Sequence, residues 1–335
     1  VYEQTLDVGP FALRGTPPPI DGVGAGYCPR RTVLDQILVN AAVDAGAELR
    51  EHFTVKDLLF DGDRVVGIRG HARRGTLVVE RAKIVIGADG LHSLVARAAG
   101  AAVYNDRPSL ACAYYSYWSG APLSGAEIYP RADRAIITAP TNDGQAVVIA
   151  YWPAAMFHEV RADIEGHFMR ALDLAPGLAE RVRGGTRTER FRGTVDLPNF
   201  YRKPFGPGWA LVGDAGYHKD PITAQGISDA FRDAELLADA IDDGLAGRKS
   251  LADALAGYEA RRNEATAAIY EMTVQMAMLQ LPTAEQQQLF AALRHNQDAS
   301  DRFIGTLAGS VPLEAFFAPE NIGQIIGAAE PIQAA

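Results

Sequence analysis

The stretch Gly208-Trp-Ala-Leu-Val-Gly-Asp-Ala-Gly-Tyr-His-Lys-Asp-Pro-Ile-Thr-Ala-Gln-Gly226 decides the fold class of this chain. Its apolar run 209–212 has the length of a buried strand, and Gly213-Asp214 predicts a tight turn directly after it. Beyond Gly226, apolar residues recur at helical spacing. They are Ile227, Ala230, Phe231, Ala234, Leu237, Ala238 and Ile241. The sequence therefore predicts a loop between the end of a strand and the first turn of a helix.

Two features of this loop predict a binding site. The first turn of a helix carries unpaired N–H groups and the positive end of the helix dipole, so Gln225, Gly226 and Ile227 are candidates to hold an anion or an electron-rich ring. Asp214 follows a strand, where a carboxylate is placed to accept hydrogen bonds from a sugar-like or ribityl chain. The alternative is structural: Asp214 caps a turn, and Pro221 merely begins a helix.

A second segment repeats this order of elements. Ala82-Lys-Ile-Val-Ile-Gly-Ala-Asp-Gly-Leu-His-Ser-Leu-Val-Ala-Arg97 predicts a strand, a turn at Asp89-Gly90 and a helix. Asp-Gly is also a common turn dipeptide, so Asp89 has a structural alternative too. We predict that the turns around Asp89 and Asp214, although remote in sequence, converge on one groove.

Together these segments resemble the flavoprotein monooxygenases of the p-hydroxybenzoate hydroxylase type. Asp89-Gly90-x-x-Ser93 resembles the Asp-Gly motif of that family, and 213–226 resembles its second FAD motif. Arg31-x-x-Leu34-Asp35-x-x-Leu38 resembles the helix whose first arginine lies near FAD. The three matches follow the family's order. The FAD-binding residues that the resemblance implies are Arg31, Asp89, Gly90, Arg97, Gly213, Asp214, Pro221, Gln225, Gly226 and Ile227.

The chain departs from the family pattern at several positions. Ala96 stands where the Asp-Gly motif usually has an arginine, and Arg97 follows one step later. Tyr217 stands where a histidine is common, with His218 next to it, and Ala224 replaces a usual glycine. Tyr217 and His218 are candidates for a catalytic role, although a single loop histidine is more often structural.

A glycine-rich motif is also missing. The family begins with a strand, a Gly-x-Gly-x-x-Gly turn and a helix that hold the FAD pyrophosphate. The most similar stretch is Gly22-Val-Gly24-Ala-Gly26. It lies between Pro17-Pro18-Pro19 and Pro29, which predicts a loop. We therefore expect this sequence to lack the family's first segment, of about 50 to 80 residues.

Composition restricts the function further. The chain has 335 residues, of which 48% are hydrophobic, enough for a substantial core. A net charge of −9 argues against sequence-independent nucleic-acid binding, which needs a basic surface. Cys28 and Cys112 have no metal-ligand spacing and no disulfide framework, which is typical of a reducing compartment. No apolar stretch reaches the roughly 18 residues of a membrane helix, and no signal peptide is visible, so we expect a cytoplasmic protein without a transmembrane segment.

The expected fold class is mixed α/β: a Rossmann-like FAD/NAD(P)-binding domain with an inserted antiparallel-sheet substrate domain and C-terminal helices. We assign 1–103 and 196–280 to the FAD-binding domain, 104–195 to the substrate domain and 281–335 to the C-terminal segment. The first 29 residues predict a loop region with one edge strand. Expected strands are 53–60, 64–69, 77–81, 83–87, 112–118, 126–129, 135–138, 146–152, 189–195 and 209–212; expected helices are 31–45, 164–172, one that begins at 226 and continues through 241, 251–279 and 284–294.

The resemblance also implies a reaction. NAD(P)H reduces FAD, dioxygen adds to the reduced ring, and the resulting flavin hydroperoxide hydroxylates or epoxidises a small organic substrate. One alternative is an FAD-dependent reductase of isoprenoid-type double bonds or a halogenase, although the halogenase string Trp-x-Trp-x-x-Ile-Pro is absent from the sequence. A second alternative is a non-catalytic fragment that binds flavin or another ligand.

Overall fold

The predicted strands and helices form a mixed α/β architecture in a computed structural model, which describes residues 1–72 and 75–328. The strands are β1 (Gln4–Asp7), β2 (Ala12–Gly15), β3 (Phe53–Asp61), β4 (Arg64–Ala72), β5 (Leu77–Arg81), β6 (Val85–Gly87), β7 (Val103–Arg107), β8 (Ala111–Ser119), β9 (Ala126–Arg131), β10 (Arg134–Pro140), β11 (Gln145–Pro153), β12 (Thr186–Arg187), β13 (Arg192–Thr194), β14 (Asn199–Arg202), β15 (Phe205–Gly206), β16 (Trp209–Leu211) and β17 (Tyr217–His218). The helices are α1 (Arg31–Asp44), α2 (Leu94–Ala98), α3 (Phe157–Ala162), α4 (Ile164–Leu172), α5 (Pro176–Gly184), α6 (Gly226–Leu245), α7 (Leu251–Ala277), α8 (Ala284–Leu293), α9 (Gln297–Ala308), α10 (Leu313–Phe316) and α11 (Pro319–Ala328).

The chain forms two units. The first, which we call the sheet unit, comprises Val1–Gln36, Ser109–Asp196 and Gln275–Ala335. The second, the motif unit, comprises Ile37–Pro108 and Leu197–Val274 and contains both turns singled out from the sequence. Helix α1 crosses the boundary between them.

The sheet unit contains the predicted antiparallel sheet. Its strands follow the order β12-β8-β11-β10-β9-β1-β2, and β13 also pairs with β8. Alternate residues of β8 and β11, such as Trp118 and Trp152, pack against α4 and α5 through Phe168 and Leu178. Helix α5 is a structural feature that the sequence analysis did not predict.

The N-terminal residues differ from the prediction. Where we expected one edge strand, β1 and β2 form a hairpin, and β1 pairs in parallel with β9 through Gln4↔Ala126. Leu6 and Leu13 are buried in a cluster with residues of the C-terminal helices. The sequence suggests that 1–103 belongs to the FAD-binding domain, whereas these contacts place 1–36 in the sheet unit. The glycine-rich stretch after Ile20 is a turn closed by an isolated bridge to Val23, so it is a loop as predicted.

Among its described residues, the motif unit contains three three-stranded sheets, the long helix α6 and most of the long helix α7. Strands β3, β4 and β5, which cover the expected strands 53–60, 64–69 and 77–81, form one antiparallel sheet, and β16 pairs in parallel with β6. At the end of β6, a Cβ atom added to Gly87 would lie 2.8 Å from both Leu211 and Val95. Only glycine therefore lets the two strands and α2 approach this closely. In the described part of the chain, no helix is long and apolar enough to cross a membrane.

Candidate functional site

The parallel pairing of β6 with β16 brings the two predicted turns to one sheet edge. Leu211 lies opposite Gly87, and the Val212 N–H donates a hydrogen bond to the Gly87 carbonyl at 3.0 Å. Asp89 and Asp214 follow the carboxyl ends of these adjacent strands, which is where ligands bind in open α/β sheets. The two turns therefore lie at one sheet edge, while the shared groove and the cofactor role of their carboxylates stay predictions.

The Asp89 carboxylate is occupied by its own segment. It accepts hydrogen bonds from the Ser93 hydroxyl at 2.6 Å, the Leu94 N–H at 2.7 Å and the Val95 N–H at 3.2 Å. Ser93 in turn is the N-cap of α2 and accepts from the Ala96 N–H at 2.9 Å. Asp89 thus fixes the start of α2, as its structural alternative suggested.

Asp214 has different surroundings. It lies in a single 3₁₀ turn, Gly213–Ala215, in which Gly213 has a φ of +58°. Its side chain is exposed, and its carboxylate accepts no hydrogen bond from the described residues. The turn therefore presents an acceptor that is available to the hydroxyl groups of a ligand.

The N-terminus of α6 is uncapped by side chains. Gln225, at the N-cap position, makes no side-chain capping hydrogen bond. Gly226 is exposed, and a Cβ atom added there would have nothing within 4 Å. The first-turn N–H groups, including that of Ile227, lack intrahelical partners, so this helix end offers donors and a positive dipole to an electron-rich group.

Buried polar groups fix the conformation of the loop before α6. Pro221 is exposed and begins a short 3₁₀ helix, whose first turn Asp220 caps by accepting from the Ile222 N–H at 3.0 Å. The Asp220 N–H donates to the Asn199 side-chain oxygen at 2.8 Å. Burial raises the pKa of Asp220 to about 6, and its second carboxylate oxygen has no partner among the described residues.

A buried ion-pair cluster fastens this loop to α6. Lys219 pairs with Asp229, and both side chains are buried. Arg232 donates to Asp229 at 2.9 Å and to Asp233 at 2.8 Å. Burial lowers the pKa of Lys219, and Asp229 opposes that effect. Sequence analysis missed this cluster, although three charged residues one turn apart on the first turns of α6 were a usable signal.

Tyr217 and His218 occupy β17 and are buried. The Tyr217 ring stacks on Tyr201 with ring centroids 4.7 Å apart, and its hydroxyl has no partner among the described residues. Burial raises the pKa of Tyr217 far above its ordinary value. His218 bonds through Nδ1 to the Pro198 carbonyl and stacks on Phe200. These contacts match the structural alternative, and the catalytic role of both residues stays a prediction.

The remaining candidates lie at separate places. Gly90 has a φ of +75°, which the turn after Asp89 requires. Arg97 is exposed and donates to the His92 carbonyl of its own turn at 2.5 Å. Arg31 belongs to the sheet unit and forms an exposed ion pair with Asp35 at 2.7 Å. A cofactor contact of either arginine stays a prediction.

Sequence analysis did not predict the contribution of β14. Arg202, its last residue, donates to the Ala215 carbonyl at 2.8 Å and to the Leu91 carbonyl at 3.2 Å. The side chain therefore touches both turns of the site. Among the described residues there is no group of three His, Cys, Asp or Glu side chains that could hold a metal ion.

Comparison with known proteins identifies related sequences and folds. A family model described as an FAD binding domain matches residues 27–273. A digeranylgeranylglycerophospholipid reductase from Methanocella arvoryzae is 27% identical over 261 residues, which are 73% of this chain and 62% of that protein. The chain thus spans less than two thirds of that relative.

Two solved structures show the same fold. The myxobacterial chondrochloren halogenase CndH superposes with a TM-score of 0.76 at 22% identity, over 98% of this chain and 80% of the other. Pseudomonas aeruginosa pqsL, described as a probable FAD-dependent monooxygenase, superposes with a TM-score of 0.64 at 22% identity, over 92% and 81%. At this level of identity the likeness shows the fold and leaves the reaction open.

Proposed function

This chain belongs to the FAD binding domain family, and from that premise we propose that it is an FAD-dependent oxidoreductase, specifically an NAD(P)H-dependent monooxygenase that acts on a small organic substrate. The observation that carries the proposal is the geometry of the motif unit. The exposed Asp214 carboxylate stands at the carboxyl end of a parallel strand pair, and an uncapped helix begins at Gly226 at the end of the same loop.

The residues present fit the flavin and ribityl part of FAD. Asp214 supplies an acceptor without an internal donor, which suits ribityl hydroxyls. A Cβ atom added to Gly226 would have nothing within 4 Å, so this position would leave room for the flavin at the helix N-terminus. When bound, FAD supplies two-electron redox chemistry and the reaction of its reduced ring with dioxygen.

The protein's own groups have three tasks in this proposal. The N–H groups at Gly226 and Ile227 stabilise negative charge on the ring edge that faces them. Pro221, exposed and without an N–H, forms an apolar wall that excludes water. The buried ion pair of Lys219 with Asp229 holds the loop against α6. It thereby keeps Pro221 and the first N–H groups of the helix in fixed positions.

The sheet unit offers an apolar surface for the substrate. On the strand face opposite to the one packed on α4 and α5, Tyr115 lies beside Ile149, and Ile149 lies beside Ile137. Tyr117 and Val147 form the next row. We assign this face to an organic substrate with a large apolar portion, because it presents rings and branched side chains. The Arg30 guanidinium, which pairs with Glu189, lies 4.4 Å from the centre of the Tyr117 ring and adds a charged group to this face.

Purification and oxygen uptake test the proposal. The purified full chain is expected to retain a flavin absorbance band. NAD(P)H oxidation is expected to consume dioxygen. With ¹⁸O₂ and a phenol as the probe substrate, one labelled oxygen atom is expected to appear in the product. A protein that binds FAD and oxidises NAD(P)H but labels no phenol or alkene would argue against monooxygenation.

A second candidate is the reduction of isoprenoid-type double bonds. The relative from Methanocella arvoryzae is named as a digeranylgeranylglycerophospholipid reductase, and the apolar face around Tyr115 and Ile149 suits a long hydrocarbon. Photoreduced protein mixed anaerobically with geranylgeraniol separates the two. Reoxidation of the flavin with loss of an alkene supports reduction. A flavin that stays reduced until air is admitted argues against reduction of this alkene, and oxygenation then depends on the transfer of ¹⁸O into a product.

Halogenation is the third candidate, because CndH shares the fold. The chain has three tryptophans, and none belongs to a Trp-x-Trp-x-x-Ile-Pro string. Trp118, Trp152 and Trp209 are all buried in the described structure. Activity that requires chloride or bromide would favour halogenation over both other reactions.

A further inference from the structure

Arg202 connects the two turns of the candidate site. Its Nη1 donates to the Ala215 carbonyl at 2.8 Å, and its Nη2 donates to the Leu91 carbonyl at 3.2 Å. Ala215 is the residue after Asp214, and Leu91 is the second residue after Asp89. One planar guanidinium therefore spans segments that are more than a hundred positions apart in sequence.

The position of this guanidinium is fixed by its own surroundings. The Arg202 N–H donates to the Gly216 carbonyl at 2.9 Å, and the Phe200 ring lies 4.2 Å from the guanidinium carbon. The fully buried Arg262 donates to the Gly216 carbonyl at 3.0 Å and to the Arg202 carbonyl at 3.2 Å. Because both its backbone and its ring contact restrict Arg202, the two carbonyl bonds cost little additional side-chain entropy.

The charge of Arg202 also bears on the acidic turns. Burial lowers the pKa of Arg202, and the Asp89 carboxylate opposes that effect. A cation thus lies within electrostatic reach of Asp89, at the edge where two carboxylates follow neighbouring strands.

Positions 96 and 97, where an arginine is usual or present, do not supply a side chain that connects the two turns. Ala96, which stands where the resembled motif usually has an arginine, is buried in an apolar cluster with Leu211 and Ala215. Arg97 bonds to the His92 carbonyl of its own turn. Neither side chain joins the two segments.

We propose that Arg202 is a positioning residue: it fixes the separation of the Asp89 and Asp214 turns and thereby sets the orientation of the exposed Asp214 carboxylate for its ligand. The mechanical coupling of the turns rests on the hydrogen bonds alone. Its consequence for FAD rests on the proposed function.

Amide hydrogen exchange on the full chain tests the coupling without any cofactor. In Arg202→Met, which keeps the apolar stem, exchange is expected to rise several-fold in 89–95 and in 213–218 together. The hairpin β3–β4 of the same unit is expected to be unchanged. Arg107→Met is the matched control, because Arg107 is exposed on the adjacent strand β7 and its side chain, among the described residues, donates a hydrogen bond to the carbonyl of its neighbour Asp106 alone.

FAD binding tests the positioning role. Arg202→Met is expected to weaken FAD affinity about tenfold, the loss of one or two charge-assisted hydrogen bonds, and to alter the visible circular dichroism of the bound flavin. Arg202→Lys should recover little of the FAD affinity, since an ammonium group does not reproduce the planar pair of N–H donors of a guanidinium. In Arg202→Ala, added guanidinium ion below denaturing concentration is expected to restore affinity, while added methylammonium is not.

Each result decides between the two ideas. Exchange that rises in one turn alone, in neither, or equally in Arg107→Met overturns the coupling. Coupled exchange in a protein that never retains flavin leaves the coupling standing and contradicts the proposed function. If flavin affinity and visible circular dichroism are the same in the Arg202 variants as in the wild type, the positioning role is overturned.

Discussion

Asp89 and Asp214 occupy corresponding places after adjacent strands, but their carboxylates have different partners. Asp89 accepts three hydrogen bonds from its own turn and helix, whereas Asp214 is exposed and accepts none from the described residues. A sequence shows both as an acidic residue in a glycine-rich turn. We therefore expect substitution of Asp89 to change stability and substitution of Asp214 to change ligand binding.

For Asp89 we expect a stability effect. Asp89→Ala removes the acceptors for Ser93, Leu94 and Val95 and should lower the free energy of unfolding by about 1 to 2 kcal/mol, the usual cost of losing a helix cap. Urea unfolding of protein without flavin measures this. An unchanged midpoint would show that water replaces these contacts at no cost.

For Asp214 we expect a binding effect. Asp214→Ala should weaken FAD binding about tenfold to a hundredfold, the value of hydrogen bonds to a charged acceptor, with little change in unfolding free energy. Flavin fluorescence titration measures the affinity. Asp239→Ala, on the exposed surface of α6, is the control for removing one negative charge. Equal flavin content in Asp214→Ala and wild type would refute the ribityl contact.

Asp220 gives a pH-dependent prediction. Burial raises its pKa from 3.8 to about 6, so between these values the folded state binds a proton that the unfolded state has lost. The stability of the wild type relative to Asp220→Asn should then fall by about 3 kcal/mol as pH rises through this interval and stay level above it. Urea unfolding of both proteins from pH 4 to 8 measures the difference. A constant difference would contradict the raised pKa.

At the scale of elements, helix α6 offers a test that separates folding from binding. Gly226 has a helical backbone and open space at its Cβ position, so Gly226→Ala should preserve or raise stability, by up to about 1 kcal/mol. The added methyl group would occupy the space assigned to the ring edge and weaken FAD binding. Gly257→Ala in α7, also with nothing near its Cβ, should raise stability and leave binding unchanged. Equal affinities in both variants would move the flavin away from α6.

Elements with strong local signals were predictable from sequence. Helix α4 has the predicted limits, and the hairpin of β3 and β4 follows its Asp61-Gly62-Asp63 turn. Strand β14 was not predicted, because Asn199-Phe-Tyr-Arg202 is short and lacks alternation. Its strand conformation comes from pairing with β17 and β7, which are distant in sequence. Arg202 was not predicted for the same reason, because tertiary structure sets its partners. Of the buried cluster at Lys219, only the spacing of Asp229, Arg232 and Asp233 on α6 was a local signal.

At the scale of the molecule, the sequence predicted an inserted antiparallel sheet but placed the first residues differently. The parallel pairing of β1 with β9 draws 1–36 into the sheet unit, and no local pattern in Gln4–Asp7 specifies that partner. Parallel pairing depends on long-range contacts rather than on a turn between the strands. The turns of the motif unit were recognisable because each combines an apolar strand, an acidic turn and a helix within a short window.

The division into units predicts where FAD acts on the whole protein. Since both acidic turns and the start of α6 lie in the motif unit, FAD should slow amide exchange most in 88–95 and 213–227, with smaller changes in β8 and β11 of the sheet unit. At FAD concentrations a hundred times the dissociation constant, the unfolding free energy should rise by about 2.7 kcal/mol. Hydrogen exchange with mass spectrometry on flavin-loaded and stripped protein measures the pattern. Strongest protection in 111–153, with 88–95 and 213–227 unaffected, would assign the flavin to the sheet unit and contradict the site described at Asp214.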